Sequence, residues 1–453
     1  MAAEPICVDV ALVGAGGAGL SLLMAVERAA RSSGRRTPSM ALIDPVRHQE
    51  SDRTWCWWAV PDPTSGLLSL AHRTFSRMEL VDRAGGHREY ELGALRYVML
   101  RAGDFYAEAD AVRSRLGDRV VQITAPVERV DDGSGRADPG GRADPGGRAD
   151  PGGGADRDGW ADRDGWAVVH TEQARIRARW VFDSRPAAPI RPGFTQLLQH
   201  FRGWTVHFDR PVLDPDLAIL MDFQVPQPER GVAFGYCLPL APDRALIEYT
   251  EFSRRPLPSE AYDRALRDYL ERRWSTRPGS GARIEAVEDG VIPMTDAPFA
   301  RRVGRRVFRL GTAGGATRPA TGYTFAAIQR QAEEIAVRLL DGRVPVPPRP
   351  YPLRHRWMDA VLLRALDRGY IQGPELFTGL FADHPSDRVV RFLDGLSGPR
   401  DELAIMRSTP WPAMMRAAIE DAATRAGSLI GGRNGRRNDG RNGGRNGAGG
   451  GCC

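Results

Sequence analysis

A short apolar run, Val8-Asp-Val-Ala-Leu-Val13, enters Gly14-Ala-Gly-Gly-Ala-Gly19 and leaves through a Leu/Ala-rich stretch that keeps helical spacing to about Ser33. Glycines at this spacing do three different jobs between a strand and a helix. Gly14 permits the tight turn, Gly16 lets a pyrophosphate approach the backbone, and Gly19 allows the helix to pack closely on the strand. The N-terminus of that helix offers unpaired N–H groups and a dipole that favours anions. A second strand, Met40-Ala-Leu-Ile-Asp44, ends in an acid suited to a ribose hydroxyl. Asp44 lies somewhat beyond the usual ~20 residues, and the loop from Ser32 to Pro38 absorbs the difference. The pattern predicts a βαβ unit opening an α/β domain that binds a dinucleotide, as against a glycine-rich turn of no function.

At 453 residues the chain has room for two or three domains and a substantial core. Its most apolar window is the fingerprint itself, where the glycines and Asp9 speak for a buried strand and helix instead of a membrane span. The N-terminus lacks a charged region followed by a small-residue cleavage site, which reads as intracellular, cytoplasmic. Cys7, Cys56, Cys237, Cys452 and Cys453 are scattered, with neither metal-ligand nor disulfide spacing. The net charge of +6 is carried by arginine alone, and the tail from Gly431 to Gly447 holds five arginines against Asp439. The folded part is therefore near balance, and the basic pI is no nucleic-acid footprint.

Composition divides the chain. Residues 1–193 read as the cofactor domain, interrupted at 134–166 by Gly-Arg-Ala-Asp-Pro-Gly repeats and then Asp-Arg-Asp-Gly-Trp-Ala repeats. Units this short and this rich in Gly, Pro and Asp bury no face, so the segment reads as an expanded, disordered hairpin loop joining Val120–Val130 to Ala167–His170. Residues 194–298 alternate like strands around one helix, about Ser259 to Trp274, and read as an inserted β-sheet substrate domain. Residues 299–345 return to the cofactor domain: Arg306–Leu310 as a strand, Gly311-Thr-Ala-Gly314 as a second glycine turn, Thr324 to Leu340 as a helix. A helical region follows over 346–428, then a disordered Gly/Arg/Asn tail over 429–453.

Several motifs stand in order at sensible spacing: Arg53-Thr-Trp-Cys-Trp57, Gln199-His-Phe-Arg-Gly-Trp204, Leu220-Met-Asp-Phe223, Leu238-Pro-Leu240, Ile247-Glu-Tyr-Thr250, Gly322-Tyr323 and Glu375–Phe381. As a set they resemble the bacterial lycopene β-cyclases, from about Val8 to Ile419 without the repeat loop. The resemblance implies a Rossmann-like FAD enzyme with no net redox chemistry, whose flavin works in the reduced form and receives electrons from NAD(P)H. It implies conversion of the ψ end groups of lycopene, through γ-carotene, to β-ionone rings. A proton adds at C2, the C1 cation is attacked by the C5=C6 bond, and a proton leaves C6. It also implies contact with a membrane surface and with other carotenoid enzymes.

Glu248 stands at the family's essential acidic position. A mid-strand place among apolar residues would keep its carboxyl protonated, with the reduced flavin's charge facing the developing cation. Its bland alternative is a carboxylate paired to arginine at a sheet edge. Glu251, three residues on, points to the opposite strand face. Trp55, Trp57 and Trp58 either line the cyclisation pocket, each face attracting a cation by roughly 1–2 kcal/mol, or close the core between domains. Arg53 touches flavin or phosphate, or makes a surface ion pair. His200 reads as a hydrogen-bonded structural histidine sooner than a base. Gly311, Gly314 and Gly322 join Gly14, Gly16, Gly19 and Asp44 as cofactor-binding positions, and Thr312 stands where many flavoproteins place an aspartate. A flavin monooxygenase or reductase acting on an isoprenoid would share the architecture, as would a non-catalytic flavin scaffold.

Overall fold

A computed structural model describes residues 4–48, 53–62, 66–132, 165–186 and 194–438. The chain runs β1 (Ile6–Val13), α1 (Gly17–Ser33), β2 (Met40–Asp44), β3 (Thr54–Ala59), β4 (Arg73–Phe75), β5 (Arg77–Val81), β6 (His87–Glu91), β7 (Arg96–Arg101), α2 (Ala102–Leu116), β8 (Val120–Thr124), β9 (Val127–Asp131), β10 (Ala167–Thr171) and β11 (Arg175–Asp183). It continues through β12 (Gln196–Phe208), β13 (Leu217–Asp222), β14 (Val232–Ala241), β15 (Arg244–Ser253), α3 (Ser259–Trp274), β16 (Arg277–Pro278), β17 (Gly281–Thr295), β18 (Val307–Arg309) and α4 (Phe325–Leu340). It ends with α5 (Leu353–Asp367), α6 (Gly373–Asp383), α7 (Ser386–Leu393), α8 (Pro399–Ser408) and α9 (Trp411–Asn438).

The fingerprint builds the first layer. β1 pairs in parallel with β2 on one side and β11 on the other; β8 extends the sheet beyond β2, and β18 joins the end of β11. Val10 and Leu12 join the core beneath α1 and α4, while Ala11 and Val13 join the core on the opposite face. That two-sided burial is why β1 reads as a nearly continuous apolar run. β9 and β10 pair antiparallel, Val130 opposite Val169, and β10 pairs with β11. The repeats between them, residues 133–164, lie outside the described residues.

The second layer is an eight-stranded sheet in the order β16-β17-β12-β15-β14-β13-β5-β6. It is not confined to residues 194–298. β5 and β6, from the segment assigned by sequence to the cofactor domain, add to its far edge, β5 parallel to β13. A parallel pairing needs a long crossover, so this partner was not visible from local alternation. One face of the sheet is covered by α3 through Trp204, Tyr249, Tyr262, Leu266 and Tyr269. The other packs Leu246, Phe252, Phe234 and Phe223 toward α5–α8. β3, β4 and β7 form a small third sheet wedged between the two layers. α9 continues to Asn438, ten residues into the stretch expected as a disordered tail. No proline stops it, and residues 439–453 lie outside the description.

Candidate functional site

The glycine loop sets one end of the site. Gly14 adopts φ +103°, and a Cβ there would meet Ser184 Oγ at 2.1 Å; a Cβ on Gly19 would meet the Gly14 carbonyl oxygen at 2.0 Å. Both are packing glycines, off the cavity wall. Gly16 differs: a Cβ there meets nothing within 4 Å, and the residue lines a cavity of about 580 Å³. α1 begins at Gly17 with no side-chain cap and no acid in its first turn, so no side chain satisfies its N-terminal N–H groups. Asp44 steadies the loop, its Oδ2 accepting the Ala15 N–H at 2.7 Å and its Oδ1 the Val46 N–H at 2.9 Å. In the second glycine turn, Gly311 (φ +60°) lines the cavity, whereas Gly314 packs against the backbone, a Cβ there falling 2.5 Å from the Arg309 carbonyl oxygen. Gly322 (φ +71°) lines the cavity too, and a Cβ on it would strike Gln199 Oε1 at 2.0 Å. That oxygen is buried without a hydrogen-bond partner.

β3 brings the tryptophans in, and alternation along the strand sorts them. Trp55 lines the cavity beside Arg53, stacked on Phe325 at 5.3 Å and edge-on to Phe105 at 4.9 Å. Trp57, on the same face one step deeper, is buried against Phe325 in the core under α1. Trp58 faces the other way and packs on Tyr97 at 4.3 Å. The pocket assignment therefore stands corrected for two of the three, because β3 is sandwiched between two cores and only its N-terminal end opens on the cavity.

The sheet supplies the opposite wall. Along β15, Leu246, Glu248, Thr250 and Phe252 point away from α3, and the last three line the cavity; Ile247 and Tyr249 point into the α3 core. Glu251 follows them, its Oε2 accepting the Tyr249 hydroxyl at 3.0 Å, on the face away from the site. His200 is fully buried between Ser253 Oγ (2.8 Å) and the Tyr262 hydroxyl (2.7 Å), and burial pulls its pKa down to about 4. It is a neutral structural residue. Around Glu248 the wall is apolar: Leu220, Met221, Phe234, Phe252 and, from α6, Phe377. Burial therefore drives its carboxyl well above the usual range, and Glu288, hydrogen-bonded to it, drives it further. The Tyr236 hydroxyl donates to that of Tyr97 at 2.9 Å, and burial pushes both phenols and the Cys56 thiol (to about 12) upward, so all three are neutral near pH 7.

The motifs at 53–57, 199–204, 220–223, 247–250, 322–323 and 375–381 thus all reach one cavity. Residues 161–419, more than half of the chain, match the family described as lycopene cyclase protein. The chain belongs to the lycopene cyclase family. Among its curated relatives, a lycopene β-cyclase of Paracoccus sp. is 30% identical over 254 residues, 52% of this chain and 62% of that protein. An uncharacterized carotenoid cyclase of Deinococcus radiodurans is 31% identical over 156 residues, 34% of this chain and 36% of that protein. The matched spans fall short of two thirds of either relative. The fold is shared more widely. A geranylgeranyl bacteriochlorophyll reductase-like protein of Thermoplasma acidophilum has 12% identity and a TM-score of 0.52, over 89% of this chain and 97% of its own. A flavoprotein/dehydrogenase of Cytophaga hutchinsonii has 11% identity and a TM-score of 0.52, over 92% and 99%. Within this lycopene cyclase fold, sequence reading did not single out Glu288, Tyr97 or Tyr236, which come from strands paired by tertiary register.

Proposed function

We propose that this protein is a lycopene β-cyclase that closes ψ end groups to β-ionone rings with reduced FAD bound. The reading is carried by Glu248, a carboxyl kept protonated on an apolar wall that faces two glycine turns across one cavity. The residues fit the cofactor. Open space at Gly16 and the uncapped start of α1 suit a pyrophosphate, and the unpartnered Gln199 Oε1 beside Gly322 suits a donor from a bound group. Asp44 would hold the ribose, with Arg53, Gly311 and the Gly322 turn around the rest. When bound, reduced FAD supplies negative charge near the developing cation.

Glu248 delivers its proton to C2 of the end group, and the C5=C6 bond attacks C1. The ring face of Trp55 stabilises positive charge, and Phe234, Phe252 and Leu220 exclude water that would trap the cation. NAD(P)H is the proposed source of electrons, consumed only to prime the cofactor. Among the described residues no helix is long and apolar enough to cross a membrane. We place the protein in the cytoplasm, meeting the membrane that holds its substrate through the exposed Trp411, Met415 and Ile419 of α9.

The test is an anaerobic incubation with FAD, reductant and lycopene in liposomes, made up in D2O. γ-Carotene and β-carotene carrying about one deuterium per ring, without net reductant use, are expected. A product changed by oxygen or two hydrogens, or reductant consumed in step with product, would replace this reading with a flavin monooxygenase or reductase.

A further inference from the structure

Four strands place their residues in one row across the second sheet. Glu288 of β17 is paired with Gly203 of β12, Gly203 with Glu248 of β15, and Glu248 with Tyr236 of β14. At Gly203 the row lacks a side chain, and the two glutamates close over the gap. A Cβ there would stand 3.0 Å from Glu248 Cγ and 3.1 Å from Glu288 Cγ. The carboxyls hydrogen-bond each other, and Thr54 Oγ1 donates to Glu288 Oε2 at 3.3 Å. Two carboxylates in such contact, one of them set among apolar side chains, do not both ionise in the resting site, where no cation faces them.

We infer that Glu288 is the proton-holding partner of Glu248: the two carboxyls, joined over Gly203, carry one proton between them, lend it to the polyene and take it back. The inference rests on Glu248 as the donor, as proposed above. The Glu248 O–H bond breaks as the C1=C2 π pair forms the C2–H bond. The C5=C6 π pair then forms the C1–C6 bond and leaves the cation at C5. The C6–H pair restores C5=C6, and its proton returns to the carboxylates. One proton enters and one leaves, so no oxidant or reductant is needed. While the cation exists both carboxyls are anionic, which places two negative charges beside it. Glu288 acts through Glu248 and is a positioning residue.

The other titratable groups on the cavity that holds the pair are the Cys56 thiol and the Tyr97, Tyr236 and Tyr323 hydroxyls, all neutral near pH 7, together with Arg53 and Asp289. Asp289, next along β17, is held by Arg202 at 3.4 Å.

The protonated-carboxyl stretch of the FAD-loaded protein, followed by infrared spectroscopy against pH, reads the pair without any substrate. A band that persists through neutral pH and is lost in Glu248→Gln is expected. In Glu288→Gln its midpoint should fall by about one pH unit or more, with the alkaline limb of the cyclisation profile falling alongside. Glu288→Asp should restore most of the shift. Gly203→Ala, which keeps both carboxyls and wedges a methyl between them, should lower the midpoint in the same way. A midpoint unchanged in Glu288→Gln, or in Gly203→Ala if the former does not fold, overturns the pair. Normal band behaviour without conversion of lycopene would instead overturn the cyclase reading and leave the pair standing.

Discussion

At the scale of single residues, Glu248 is defined by what surrounds it. Its folded pKa is raised, so it contributes most to stability below the unfolded carboxyl value and least as pH climbs through the folded one. Glu248→Gln should abolish cyclisation with flavin retained, and its thermal unfolding temperature should exceed that of the parent protein increasingly toward alkaline pH. Near-normal turnover, or a stability gain confined to acid pH, would remove Glu248 from the role. Trp55 and Trp57 offer a second contrast, since one lines the cavity and the other fills a core. Trp55→Leu should mainly slow turnover, whereas Trp57→Ala should destabilise by about 3–5 kcal/mol through the cavity it leaves. Equal effects on unfolding would contradict that division.

At the scale of elements, the β1–α1 junction assigns different jobs to glycines three residues apart. Gly19→Ala would drive a methyl into the Gly14 carbonyl and should lower both stability and flavin content. Gly16 has φ −87° and open space, so Gly16→Ala should leave unfolding unchanged or raise stability by about 0.4–1 kcal/mol while weakening flavin retention. Absorbance of bound flavin set beside thermal unfolding separates the two. The junction was legible in the sequence because its glycine spacing and the apolar patterns on either side lie within one short segment, although Ser184 and Asp44 complete its packing from farther along the chain. β2 (Met40–Asp44) and α3 (Ser259–Trp274) were read at their observed limits, each bounded by nearby breaks and patterned by burial on its own faces. Trp58 and Glu288 were not readable in this way, since each depends on a partner strand distant in sequence.

At the scale of the whole molecule, buried ion pairs tie the segments together. Arg318, just after the second glycine turn, is 1% exposed; it donates to Asp359 of α5 at 3.1 Å and to the Phe392 carbonyl of α7. Asp359→Ala should leave a buried guanidinium unpaired and cost about 3–5 kcal/mol, seen in denaturant unfolding. An effect below about 1 kcal/mol would show that the helical region is not anchored there. Exposed apolar side chains at Trp411, Met415 and Ile419 recur every four residues and so form one stripe on α9. Trp411→Asp with Ile419→Asp should abolish co-flotation with anionic liposomes, and undiminished flotation would place membrane contact elsewhere. By itself the sequence determined the cofactor-type α/β opening and the alternation of strand and helix, because those signals lie within a few residues of one another. Only the tertiary structure decided which tryptophan meets the cavity, that β5 and β6 complete the second sheet, and that Glu288 meets Glu248 over Gly203. Those outcomes depend on the register between strands tens to hundreds of residues apart, which is set by packing of the whole core and not by any local pattern.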